Sequence, residues 1–247
     1  MDLTRIPGIA GSREGTKGEE AMELFEVMTT AGAIREYLDI PDSDNVLYDI
    51  LDKARCAPSG GNRQPWRVLI VKDQDLRRKV RDLYSEGWKE YMAHVKKGLV
   101  PFAPAEDGTW NGPAVDLTEA AAMTTSNQYA SSLHESPILL VLLARLTDLS
   151  CLDNGLNRQS IVGGGSVYPF GHNILLAARS LGLGGVMTTV ICRREPEMKT
   201  LFRIPREFAV AGLITLGKPK KLFSRLTRRP VEEFAFVDVF DGVPLTH

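Results

Sequence analysis

The spacing of hydrophobic positions changes several times along the chain, and each change marks an element. Met22, Phe25 and Met28 fall three residues apart and predict a short helix, with order starting near Glu19. After Gly32, the run Pro41-Asp42-Ser43 ahead of Val46, Leu47, Ile50, Leu51 and Ala54 signals a helix start, and Pro58 stops that helix. Trp66 to Val71 reads as a short buried strand, and Gln74 to about Val95 as a mostly helical segment with basic residues on its wet face. Pro137 to Ala144 is nearly all Ile, Leu and Val, which fits a strand covered on both faces. A helix follows from about Tyr168 to Leu181 and is ended by Gly182 and Gly184. Val186 to Ile191 predicts a further strand, Glu195 to Phe202 a short helix closed by Pro205, and Phe208 to Leu216 the last core strand. Helices alternate with strands.

Three stretches fall outside this pattern. Residues 1–18 are rich in Gly and charge and predict a flexible tail, leaving 19–247 as a single domain. Between Gly98 and Thr118 the prolines and glycines Pro101, Pro104, Gly108, Gly112 and Pro113 predict a long excursion, about 96–118, of the kind used as a lid. After Gly217 come Lys218-Pro219-Lys220, then Arg225, Arg228 and Arg229, then Phe234, Phe236, Val237, Val239 and Phe240. An apolar run this late has few partners of its own. Residues 218–247 are therefore expected to form an arm that covers a neighbouring subunit or adds a strand to its sheet.

Composition narrows the function more by exclusion. The 247 residues can bury a real core, and 30 basic against 31 acidic residues give a formal net charge of −1. No global field then favours nucleic acid or an anionic membrane. No stretch approaches the roughly 18 uninterrupted apolar residues of a membrane helix, and Asp2, Arg5, Arg13 and Glu14 replace a signal-peptide core. Cys56, Cys151 and Cys192 are scattered and odd in number, which suits neither a disulfide framework nor paired zinc ligands. The expectation is a cytoplasmic protein. His94, His134, His172 and His247 are likewise too dispersed for a metal cluster, and no metal is expected.

Candidate chemistry concentrates in the run Ala57-Pro58-Ser59-Gly60-Gly61-Asn62-Arg63-Gln64-Pro65-Trp66, which joins a helix to a strand. Two glycines and a serine let backbone N–H groups approach a ligand, while Asn62 and Gln64 carry amides that donate and accept. Such a loop suits a flat polar heterocycle. A generic turn also uses Pro, Ser and Gly, but has no need of Asn, Gln, Pro and Trp in this order. The run resembles the flavin-contacting loop of the nitroreductase family of FMN-dependent oxidoreductases.

The second informative run, Ser166 to Thr189, resembles the same family. It includes Tyr168-Pro169-Phe170-Gly171-His172-Asn173 and Leu181-Gly182-Leu183-Gly184-Gly185-Val186-Met187-Thr188-Thr189. The resemblance implies that the strand after the Leu-Gly-Leu-Gly turn passes along the reactive edge of the flavin, with Met187, Thr188 and Thr189 there, and that Ser166 touches the ring. Read on its own, the same run is a glycine-capped helix followed by a β-branched strand. Gly163-Gly164-Gly165-Ser166 lacks the lysine of a phosphate-binding loop, and the Gly-x-Ser-x-Gly nucleophile elbow is absent.

The phosphate of FMN calls for cations, and arginine forks suit its oxygens. The family often carries Arg-Arg-Ser-x-Arg near the N-terminus and a further arginine near the C-terminus. Here the first run reads Ala31-Gly32-Ala33-Ile34-Arg35, so only the last arginine is kept, and Arg228 and Arg229 are the C-terminal candidates. The cofactor-binding set implied is Arg35, Pro58, Ser59, Gly60, Gly61, Asn62, Gln64, Ser166, Met187, Thr188, Thr189, Arg228 and Arg229.

The resemblance further implies an α+β fold with a mostly antiparallel central sheet flanked by helices. It implies a homodimer with a domain-swapped C-terminal arm and two FMN sites at the subunit interface. The expected reaction passes hydride from NADH or NADPH through flavin N5 to a nitroaromatic or quinone-like acceptor by a ping-pong route. The cofactor carries that chemistry, so no catalytic nucleophile or general acid is required. The alternatives are reductive dehalogenation or flavin fragmentation within the family, a flavin-binding protein without turnover, and an interaction protein that has lost flavin.

Overall fold

The computed structural model describes residues 22–40 and 43–246. The expected tail, the predicted start near Glu19, the Pro41-Asp42 part of the helix signal and His247 lie outside these residues. The centre is a four-stranded sheet in the order β1-β2-β4-β3, with β1 at Trp66–Ile70, β2 at Ile138–Arg145, β3 at Gly184–Thr188 and β4 at Phe208–Gly217. Every pairing between strands is antiparallel.

The alternation of side chains along β2 explains why its sequence carries no polar position before Arg145, the exposed last residue. Ile138, Leu140, Leu142 and Ala144 face one apolar layer, and Leu139, Val141 and Leu143 face the other. The first layer is closed by helix α2 (Asp44–Ala54) and helix α6 (Tyr168–Ser180), through Leu47, Ile50, Phe170 and Ile174. The second is closed mainly by helix α3 (Gln74–Lys96), through Val80 and Tyr84, and by Ile191 and Met198. A register shift between Leu142 and Leu143 leaves Ala211 as an extra residue on β4. Phe208 and Val210 before it, and Leu213 after it, consequently all reach the second layer.

Helix starts follow the sequence signals. The Ser43 hydroxyl accepts the Val46 N–H at 3.3 Å to open α2, and an Asp73 carboxylate oxygen accepts the Leu76 N–H at 2.8 Å to open α3. Buried Arg77 on α3 donates to the carbonyls of His134, Val71 and Ser136, tying α3 to the entry of β2. Helix α1 (Leu24–Thr30) lies beside α6, where the Arg179 Nε donates to Thr30 Oγ1 at 3.0 Å.

The predicted strand over Val186–Ile191 needs correction. Pairing with β4 ends at Thr188 opposite Leu213, Thr189 turns into helical backbone, and residues Val190–Arg194 form a 3-10 turn. The turn places Ile191 in the second apolar layer as effectively as a strand would. Three short helices complete the chain: α4 (Leu117–Ala122), α5 (Gln128–Ser132) and α7 (Glu195–Phe202).

The predicted arm divides in two. Its first part stays on its own chain: Tyr37 bridges Pro219, the Lys220 N–H donates to the Glu36 carbonyl at 3.1 Å, and the Leu226 N–H donates to the Thr29 carbonyl at 2.9 Å. Its last part folds back on itself, with Phe236 bridging Pro244 and the Val237 N–H donating to the Val243 carbonyl at 2.9 Å. Phe240 at its tip is 98% exposed.

Candidate functional site

The loop after α2 is shaped by backbone conformations that most residues avoid. Gly61, Asn62 and Gln64 sit at φ of 61°, 53° and 49°, in the left-handed region that glycine enters freely, asparagine tolerates and glutamine rarely adopts. Holding Asn62 and Gln64 there costs on the order of 1–3 kcal/mol each, so the surroundings must fix them. Hydrogen bonds do so. Ser59 Oγ accepts the Gln64 N–H at 3.0 Å, the Ser59 carbonyl accepts the Asn62 N–H at 2.9 Å, and Ser166 Oγ accepts the Gly60 N–H at 3.0 Å. Trp66, just beyond the loop, stacks flat on Phe170 of α6 with centroids 4.6 Å apart.

The polar groups of this loop are exposed. Gln64 Nε2 donates to Asn62 Oδ1 at 3.1 Å, so the two amides form one hydrogen-bonding edge. Ser166 is buried, and its oxygen is engaged as the acceptor that fixes Gly60.

The end of β3 forms a second group. Ala33 bridges Gly185 in parallel, and the Ile34 N–H donates to the Gly185 carbonyl at 2.9 Å, which lays residues 33–35 along the free edge of β3. Met187 packs toward α6, where a side chain on Gly171 would stand 2.7 Å from its Sδ. Thr188 points to the opposite layer and pairs its hydroxyl with the Tyr84 phenol at 3.3 Å. Among the described residues no backbone carbonyl accepts the N–H of exposed Thr189. Beneath this edge, the Thr215 hydroxyl meets the phenols of Tyr37 at 2.8 Å and Tyr129 at 3.0 Å. Burial pushes the phenols of Tyr37, Tyr84 and Tyr129 up, so all three stay protonated across the working pH range.

Arg35 is exposed, and its guanidinium lies 5.8 Å from the centre of the Tyr129 ring. Among the described residues it has no carboxylate within ion-pair distance. It shares a cavity of about 600 Å³ with Lys221 and Arg225 of the segment after β4. Those two cations were not singled out from the sequence as site residues. Their signal was Gly32, against which Phe223 and Leu226 of that segment pack. Arg228 and Arg229 are exposed and line no part of this cavity; Arg228 Nη1 donates to the neighbouring Thr227 carbonyl at 2.8 Å.

The excursion after α3 packs its aromatic rings against an ion pair that joins α3 to the 190–194 turn. Glu90, buried on α3, receives both Nε and Nη2 of Arg193 at 3.1 and 2.8 Å. The guanidinium in turn lies 5.8 Å from the Phe102 ring centre and 6.0 Å from that of Trp110, both in the excursion. Trp88 and Tyr91 stack on each other beside it, with Tyr91 against Phe102.

The structure thus gathers the expected residues other than Arg228 and Arg229 into two groups. Pro58–Gln64 joins Ser166, and Arg35 joins β3 and the segment after β4. No hydrogen bond among the described residues connects the groups. Also among the described residues, no cluster of His, Cys, Asp and Glu is placed to hold a metal, and no helix is long and apolar enough to cross a membrane. A sequence profile of the nitroreductase family matches residues 32–218.

The chain belongs to the nitroreductase family. It is an oxidoreductase of that flavin-dependent family, and its α+β fold with an antiparallel sheet is the family's. The match spans the Pro58–Gln64 loop, Ser166, Arg35 and β3, and stops short of Lys221, Arg225, Arg228 and Arg229. Among relatives, an NADH dehydrogenase of Thermus thermophilus is 26% identical over 87% of this chain and 97% of its own. Iodotyrosine deiodinase of Drosophila melanogaster is 24% identical over 89% of this chain and 69% of its own. A crystal structure of oxidised iodotyrosine deiodinase bound to FMN and 3-iodo-L-tyrosine shares the fold, with a TM-score of 0.58 and 22% identity, covering 85% of this chain and 97% of that one.

Proposed function

We propose that this nitroreductase-family protein binds FMN and transfers hydride from NADH or NADPH to a nitroaromatic or quinone-like acceptor, as a homodimer in the cytoplasm. The observation that carries the reading is the Pro58–Gln64 loop, whose left-handed backbone at Gly61, Asn62 and Gln64 is held in place by Ser59 and Ser166. Strain kept at an exposed polar loop is best explained by what the loop binds.

The residues fit the cofactor by their donor chemistry. The free N–H of Thr189 and the Thr188 hydroxyl offer donors at the end of β3, the Asn62 and Gln64 amides offer an edge that donates and accepts, and Arg35 offers an unpaired cation. When bound, FMN would supply the two-electron redox chemistry, held by the Asn62 and Gln64 amides, the end of β3 and Arg35. The chain's own residues orient the ring, neutralise its phosphate and exclude water. Gly60 and Gly61 keep the loop's backbone open to close approach, and the excursion at about 96–118, whose Phe102 and Trp110 rings lie against Arg193, serves as the lid.

Dimerisation joins the two groups of site residues. Each subunit's loop meets the partner's β3 edge, and the hairpin at 235–245, with Phe240 at its tip, swaps onto the neighbour. Residues 19–247 then make one catalytic domain, with 218–247 as its dimer-embracing arm and the swapped part of that arm beyond Leu226. Arg228 and Arg229 lie at that boundary, where they could reach the phosphate.

A second reading, reductive dehalogenation of a halogenated aromatic, is favoured by the likeness to iodotyrosine deiodinases over most of the chain. The absorption spectrum of the purified protein, before and after anaerobic NADH or NADPH, tests the shared core. A flavin spectrum that bleaches supports turnover, one that persists indicates a binder without turnover, and a colourless protein that ignores added FMN overturns the proposal. Oxidising the reduced protein with a nitroaromatic, a quinone or an iodophenol separates the acceptors.

A further inference from the structure

We infer that Lys221 and Arg225, together with Arg35, hold the phosphate of FMN in place of the side-chain donors that Ala31, Gly32 and Ala33 lack. The inference rests on the FMN reading above and names residues for one part of it.

The segment that carries the two new cations is fixed at both ends. The Lys220 N–H donates to the Glu36 carbonyl at 3.1 Å, and the Leu226 N–H donates to the Thr29 carbonyl at 2.9 Å. Between these anchors it presses on Gly32. A Cβ built there would stand 2.3 Å from Phe223 Cδ2 and 2.9 Å from Leu226 Cδ2, closer than atoms can approach. A side chain at 32 therefore has to displace the Phe223 ring and the end of the Leu226 side chain.

The cavity between residues 33–36 and 221–225 measures about 600 Å³ and is lined by Arg35, Lys221 and Arg225, with Glu36 as its single carboxylate. None of the three cations has an ion-pair partner among the described residues. Three unpaired cations around one opening repel one another, and a bound anion of charge near −2 relieves that repulsion. Two guanidinium forks and one ammonium match the three oxygens of a phosphate monoester.

The test compares FMN with riboflavin, which lacks the phosphate, by fluorescence titration of the flavin-free full chain. Lys221→Gln/Arg225→Gln is expected to weaken FMN roughly tenfold or more while riboflavin affinity holds. Glu36→Gln is expected to tighten FMN. Gly32→Ala, which displaces Phe223, is expected to weaken FMN without affecting riboflavin. Equal losses for both flavins, or a loss at Arg228→Gln/Arg229→Gln with none at Lys221→Gln/Arg225→Gln, would overturn the inference. So would a raised KM for NADPH but not NADH with FMN affinity intact, because the phosphate held would then be the dinucleotide's. An unsubstituted protein that binds both flavins equally sinks this inference and leaves the FMN reading standing. One that binds neither sinks both.

Discussion

The Pro58–Gln64 loop and the 220–226 segment face the same task by opposite means. The loop is rigid, with its backbone forced into left-handed conformations and its amides satisfied by Ser59 within it and by Ser166 from just before α6. The segment is tied down at its ends only and offers charge. Shape therefore belongs to one half of the site and electrostatic attraction to the other. Mutations in the first half should reach stability, and mutations in the second should reach affinity alone.

The strongest challenge to that contrast is Trp66→Ala, which removes the ring stacked on Phe170 at the base of the loop. It is expected to cost about 3 kcal/mol, read by chemical denaturation, because a large cavity opens beside the first apolar layer. Next comes Ser166→Ala. With 7% of Ser166 exposed, the Gly60 N–H loses its acceptor away from water, at an expected cost of about 1–3 kcal/mol and with weaker flavin retention. Gly61→Ala places a Cβ at φ 61° and should cost about 1 kcal/mol. Lys221→Gln/Arg225→Gln should change stability by less than about 0.5 kcal/mol, since both side chains are exposed. A stability loss there as large as that of Ser166→Ala would erase the contrast.

The finest test is a pH slope. Asp153 accepts the Ile161 N–H, an Arg158 guanidinium N–H and the Ser160 hydroxyl, and these bonds hold its carboxyl well below the usual carboxylate range. Its folded pKa is depressed, so its contribution is complete above the ordinary value near 4 and drains away as pH falls below it. Asp153→Asn should therefore flatten the acid limb of a thermal-stability profile between about pH 4 and pH 2. An unchanged limb would remove Asp153 from the account.

Much of the fold was legible because local signals agreed with tertiary ones. The unbroken apolar run of β2 could only be a strand covered on both faces, and Ser43 and Asp73 cap helices where hydrophobic spacing says they start. The failure at 189–191 has a physical cause. β-Branched Thr189, Val190 and Ile191 carry strand propensity, but β4 offers no pairing beyond Leu213, and the chain turns. The loop was legible as a polar platform, though the part played by Ser166 was not. Its bond to Gly60 spans 106 residues, and no local pattern announces it. Lys221 and Arg225 were hidden for the same reason, since their nearness to Arg35 depends on Phe223 filling the space above Gly32.

That filled space also constrains how the chain could have arisen or could change. Restoring an arginine at 32 alone drives it into Phe223, while trimming Phe223 alone opens a hole over a bare glycine. A side chain at 32 and the Phe223 ring compete for one space, so substitutions at the two positions are expected to be coupled.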